Sequence, residues 1–116
     1  MWLVSKLRVV WRWLSSHWRH DLKVVDLVGE EIPTAIPSKK LICMLDEGQP
    51  WAAAMACPCG CGDAIELMLL EGVSPRWDLS VDRGLPTLHP SVWRNVGCRS
   101  HFWVRRGQIH WVTGVR

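Results

Sequence analysis

The hexapeptide Cys57-Pro58-Cys59-Gly60-Cys61-Gly62 places three thiols within five positions of a chain that has five cysteines in all. A secreted disulfide scaffold spreads an even number of cysteines along its length. Here three are clustered, Cys98 lies far downstream and Cys43 stands alone in an apolar run, a distribution that favours metal ligation in a reducing compartment. Zinc takes four soft or borderline ligands in a tetrahedron and holds thiolates deprotonated. A one-residue spacing is tighter than the usual two, but Gly60 and Gly62 can adopt positive φ and bend the backbone around an ion, while Pro58 stiffens the turn. The fourth ligand has to come from elsewhere in the chain, and the segment Gly97-Cys98-Arg99-Ser100-His101 offers two. Cys57, Cys59, Cys61 and Cys98 would close a four-thiolate structural site. Alternatively His101 replaces one thiolate and leaves a labile position. The plain alternative is a set of free or redox-active thiols, and Cys43 reads as a core residue.

A chain of 116 residues, 48% hydrophobic, can bury one modest core. Its net charge of +3 selects no partner. The basic residues form no long stripe, so nucleic-acid binding is not expected. Lys6, Arg8, Arg12 and Arg19 interrupt the apolar N-terminal stretch before a secretory leader core forms, and no run approaches the roughly 20 apolar residues needed to span a bilayer. The expected location is the cytoplasm.

Two regions differ in period. Trp2, Leu3, Leu7, Val10, Trp11, Leu14 and Trp18 recur every three or four residues between basic side chains, which predicts an amphipathic helix over residues 1–20. Such a helix packs on its own domain or docks to a partner; a membrane surface is the less favoured host. From residue 21 onward the sequence predicts a β domain reaching residue 116. The runs LKVVDLV, KLICMLD, AIELMLL, RWDLSVD, HFWVRR and QIHWV are divided by GEEIP, EGQP, EGVSP, RGLP and RRG. The last two runs should pair as a hairpin with His101, Trp103 and Arg105 on one face and Phe102 and Val104 on the other. The expected fold is mainly β, a small α+β protein: a compact, zinc-stabilised antiparallel domain carrying an N-terminal amphipathic helix.

Residues 88–103 hold the densest polar constellation, with His89, Ser91, Ser100 and His101 beside Cys98. A histidine converging on a serine can act as base for its hydroxyl, the minimum needed for acyl transfer. From spacing alone, Ser91 capping a short turn or helix while His101 packs or binds metal is the better explanation.

The elements CPCGCG, TLHPSVW and GCRSHFWVRRGQIHW resemble the signature of a small bacterial family of unknown function. That family has a Cys-x-Cys-Gly-x-Gly turn, a Pro-Ser-Val/Ile element and a Cys-Arg-Ser-His-aromatic element. The resemblance covers roughly residues 40–112. Some relatives are encoded beside bacterial ubiquitin-like proteins and their activating and conjugating enzymes, which implies a peptidase that trims or removes the ubiquitin-like tag, with that protein or its conjugates as partner. Carried over residue by residue, the resemblance implies a zinc site at Cys57, Cys59, Cys61 and Cys98 and a hydrolytic pair at Ser91 and His101. An acidic third member would come from Asp46, Glu47, Asp63 or Glu66. Two other readings stand beside this one: a zinc-dependent metallopeptidase with Asp63 or Glu66 as base, and a non-catalytic zinc-binding interaction module.

Overall fold

The computed structural model describes residues 22–112. Nine strands run in order: β1 (Lys23–Val28), β2 (Lys40–Asp46), β3 (Gln49–Ala56), β4 (Ala64–Met68), β5 (Asp78–Asp82), β6 (Leu85–His89), β7 (Val92–Trp93), β8 (His101–Arg105) and β9 (Gln108–Trp111). They form a four-stranded sheet, β1-β2-β3-β4, a two-stranded sheet, β5-β6, and a three-stranded sheet, β7-β8-β9.

This architecture corrects the expected fold. Among the described residues there is no helix, the strands divide into three sheets, and β1 runs parallel to β2. The helix expected over residues 1–20 lies outside the described residues. The parallel pair escapes a reading of period alone, because alternation fixes which face a side chain takes and not which way the strand points. The clue is the length of the connection. Residues 29–39 are too many for a hairpin and suit the crossover that parallel strands require. Their Ile32 and Ile36 cover the back of the sheet against Ile42, Met44, Ala52 and Ala54.

The other face of the four-stranded sheet meets the two smaller ones. Leu41, Met55, Ile65 and Leu67 pack there with Leu88, Val92, Phe102 and Val104. Strands β2 and β3 are therefore buried on both sides, which explains why ICML and AAAM show no alternation. Ala52, Ala53 and Ala54 of β3 are fully buried and small enough for layers to close on either side. The β8–β9 hairpin pairs as expected, Phe102 and Val104 inward, with His101, Trp103 and Arg105 on the other face.

Three hairpins turn on an X-Gly pair with both residues at positive φ: Glu47-Gly48, Arg83-Gly84 and Arg106-Gly107. This backbone twist suits the strands it joins. Gly107 does more than turn. Its carbonyl accepts from Leu22 N at 2.7 Å and its amide donates to Pro86 O at 2.8 Å, so it joins the start of β1, β6 and the last hairpin. Among the described residues no helix is long and apolar enough to cross a membrane.

Gly107 and Gly48 separate backbone strain from steric contact. At Gly107, φ is 77° and a Cβ would lie 2.7 Å from Leu22 O; at Gly48, φ is 79° and nothing lies within 4 Å. Gly48→Ala should cost about 1 kcal/mol, the left-handed penalty alone. Gly107→Ala should cost at least about 2 kcal/mol more, since the backbone in its way cannot yield cheaply. Urea unfolding of the two variants checks the difference.

Candidate functional site

Strand β3 ends at Ala56, and the chain then doubles back into β4 through the cysteine turn. Cys57 N donates to Asp63 O at 2.9 Å and Gly60 N to Cys57 O at 3.1 Å, closing the turn at both levels. Gly60 and Gly62 have φ of 87° and 90°, the conformations that the spacing demands. The segment before β8 brings Cys98 to the same place, and the Sγ atoms of Cys57, Cys59, Cys61 and Cys98 all lie within 4.8 Å of one another.

All four are free thiols. The Cys57 sulfur lies 3.3 Å from that of Cys59 and 3.6 Å from that of Cys98, well beyond a disulfide. Metal–sulfur bonds of about 2.3 Å in a tetrahedron give sulfur–sulfur edges of about 3.8 Å. The donor set therefore fits a divalent metal ion. Its electrostatics agree: burial pushes the Cys57 thiol up to about 12, while the hydroxyl and amide of Ser100 draw Cys98 down to about 6. Thiols this close cannot all ionise unaided, and a central cation removes the conflict.

Two residues that sequence reasoning did not assign surround the cluster. Ser100, 1% exposed, sets its Oγ 3.1 Å from Cys98 Sγ and 3.8 Å from Cys57 Sγ. Arg94 donates to Cys98 Sγ at 3.3 Å, to Cys61 Sγ at 3.6 Å and to Asp63 Oδ2 at 3.2 Å. A guanidinium here offsets the negative charge that thiolates accumulate. The signal was available in Arg94-x-x-x-Cys98, a cation within reach of the fourth sulfur.

His101 stands apart from the four sulfurs and turns to the serine. Its Nε2 lies 2.8 Å from Ser91 Oγ. Ser91 sits at the entry to β7, where its carbonyl accepts from Trp77 Nε1 at 3.3 Å. Trp93 is the cross-strand partner of His101, and the two rings stack with centroids 4.7 Å apart and planes within 3°. The Nδ1 atom of His101 is buried and has no hydrogen-bond partner among the described residues. None of the four acidic candidates fills that role. Asp63 pairs with Arg94, Asp46 and Glu47 belong to the β2–β3 hairpin at the end of β3 away from Cys57, and Glu66 sits within β4. Cys43 is buried in β2, as a core thiol should be, and burial raises its pKa.

The family model described as "Bacterial ubiquitination-like system serine protease (BubE)" matches residues 28–112, and the chain belongs to this family. No curated protein and no solved structure matches the chain. The matched span includes the whole cysteine cluster together with Ser91 and His101.

The purified chain should carry one metal ion, counted by native mass spectrometry. Cys57→Ser, which alters the buried sulfur shared by both halves of the cluster, should lose that ion and lower the melting temperature sharply, because metal ligation in such sites contributes on the order of 10 kcal/mol to folding. A metal-free protein that stays fully folded would refute the assignment.

Proposed function

We propose that this protein is a serine-type peptidase or isopeptidase that processes a bacterial ubiquitin-like protein, with Ser91 as nucleophile, His101 as general base and a structural zinc ion on Cys57, Cys59, Cys61 and Cys98. The observation that carries the reading is the 2.8 Å approach of Ser91 Oγ to His101 Nε2. The family supplies the reaction class, serine proteolysis in a ubiquitination-like system. A reducing cytoplasm suits a cluster of unlinked thiols.

In this mechanism the Ser91 hydroxyl attacks the carbonyl carbon of the scissile amide as its proton passes to His101 Nε2. The imidazolium then returns that proton to the departing amine, leaving an acyl group on Ser91. A water molecule, deprotonated by the same nitrogen, releases the acid and regenerates the hydroxyl. The zinc ion, when bound, supplies cross-linking: Cys98 on one side and the cysteine turn on the other hold the segment that leads into His101. Four thiolates would complete a tetrahedron around a bound ion and leave no open position, which weighs against the metallopeptidase reading. So does His101, whose Nε2 faces Ser91 while the four sulfurs gather without it.

The substrate for a direct test is a bacterial ubiquitin-like protein extended beyond its C-terminus. Ser91→Ala and His101→Ala should each lower cleavage by at least about a thousandfold, and the double variant by little more, because members of one catalytic unit are not additive. Zinc content and melting temperature should stay near those of the unmodified protein in Ser91→Ala. Cleavage that survives Ser91→Ala but fails with a chelator would favour the metallopeptidase. No cleavage by any form, with the metal retained, would favour an interaction module.

A further inference from the structure

In a three-membered serine site a carboxylate has two tasks: it orients the imidazole, and it stabilises the imidazolium formed when the serine is deprotonated. Here the position a carboxylate would take, Nδ1 of His101, is buried without a hydrogen-bond partner among the described residues. Asp63, the acidic group nearest in sequence to the cysteine turn, is bound to Arg94, and Asp78 is bound to Arg76 at 2.9 Å. What touches the ring is an indole. Trp93 lies parallel to it, 4.7 Å away, and yet is 58% exposed, so its other face is not spent on the core.

We infer that Trp93 is the positioning residue of this site and performs both tasks that a carboxylate performs in a three-membered one. Parallel stacking restricts rotation of the His101 ring about its Cβ–Cγ bond, which keeps Nε2 aimed at Ser91. The cross-strand pairing of Trp93 with His101 fixes the stack through the backbone. The electron-rich face of an indole, the best of the aromatic side chains for this purpose, also attracts a cation centred within about 6 Å. An imidazolium formed during attack is therefore stabilised more than the neutral ring, which is the differential that accelerates a step. The inference rests on the serine reading above, so its test reports on both.

The probe is a fluorophosphonate, which needs no knowledge of the natural substrate. Ser91 Oγ bonds to phosphorus as the P–F bond breaks, the hydroxyl proton passes to His101 Nε2 and fluoride leaves. Peptide mass spectrometry should locate the adduct on Ser91. Trp93→Leu, which keeps an apolar side chain but removes the π face, should lower kinact by about tenfold with KI changed by less than about twofold, and Trp93→Phe should retain most of kinact. In proton NMR the His101 ring signals should lose their upfield ring-current shift in the leucine variant and keep part of it in the phenylalanine one. Unchanged kinact in a folded Trp93→Leu protein, or a rise in KI alone, overturns the positioning role while leaving the serine reading intact. Equal losses in the leucine and phenylalanine variants also overturn it. A Trp93→Phe protein that is folded but unreactive does so even if the leucine variant fails to fold. Absence of labelling at Ser91 in the unmodified protein overturns the serine reading, and this inference with it.

Discussion

Four sulfur atoms drawn together from two distant parts of the chain join the end of β3 in the four-stranded sheet to the segment entering β8 in the three-stranded one. The turn after β3 brings three of them; the fourth comes from the segment that leads into β8. Neither piece has regular structure of its own, and the loops around them lack the ladder hydrogen bonds that hold the strands. The segment before β8 is held by Arg94 N donating to Ser100 O at 2.8 Å and by the Arg94 side chain reaching Asp63 Oδ2 at 3.2 Å. A metal ion held by the four sulfurs would add a cross-link between elements 41 residues apart. A link of that span removes much conformational freedom from the unfolded chain.

From this link the geometry passes to the candidate active site in one residue. Ser100 and His101 are neighbours, and adjacent side chains in extended backbone point to opposite sides. Ser100 turns to Cys57 and Cys98, and His101 turns to Ser91 and Trp93. Arg94 has a similar double attachment, its side chain on the sulfurs and its amide on Ser100. The sulfur cluster and the serine–histidine pair thus occupy the two sides of one short stretch of backbone. Displacing the cluster would move His101, which follows Ser100 on that backbone.

How much of this can be read in the sequence follows from which physical signals are local. Six apolar runs between turn residues mark strands, and β2 begins and ends where KLICMLD does. Three strands escape that reading. β3 and β6 each carry a proline at their second position, Pro50 and Pro86, which resembles turn punctuation. Pro50 is tolerated next to an irregularity between Met44 and Leu45, and Pro86 lies in a two-stranded ribbon where one side needs no ladder donor. β7 has two residues, too few for any period. At the site, the four cysteines follow from residues whose chemistry is distinctive at any position, whereas the Ser91–His101 pair comes from the family resemblance and not from spacing. Trp93 follows from neither, because a tryptophan is an ordinary surface residue until cross-strand register places it. Register is a property of pairing, and a single strand's sequence does not contain it.

The separation of metal from base has a chemical consequence. A histidine that ligates a metal gives up a lone pair and cannot accept a proton at that nitrogen. A histidine bound to a carboxylate through Nδ1 keeps Nε2 free, but it requires a buried charge nearby, whose desolvation must be offset by further hydrogen bonds. Stacking on Trp93, as proposed above, would leave Nε2 free without either demand, since an aromatic face is neutral. The charge that this region does concentrate, on the sulfurs, is met by Arg94 and lies on the far side of the strand from Ser91. A small β protein built as proposed could keep a structural cation and a basic nitrogen within a few residues of each other while their chemistries stay apart.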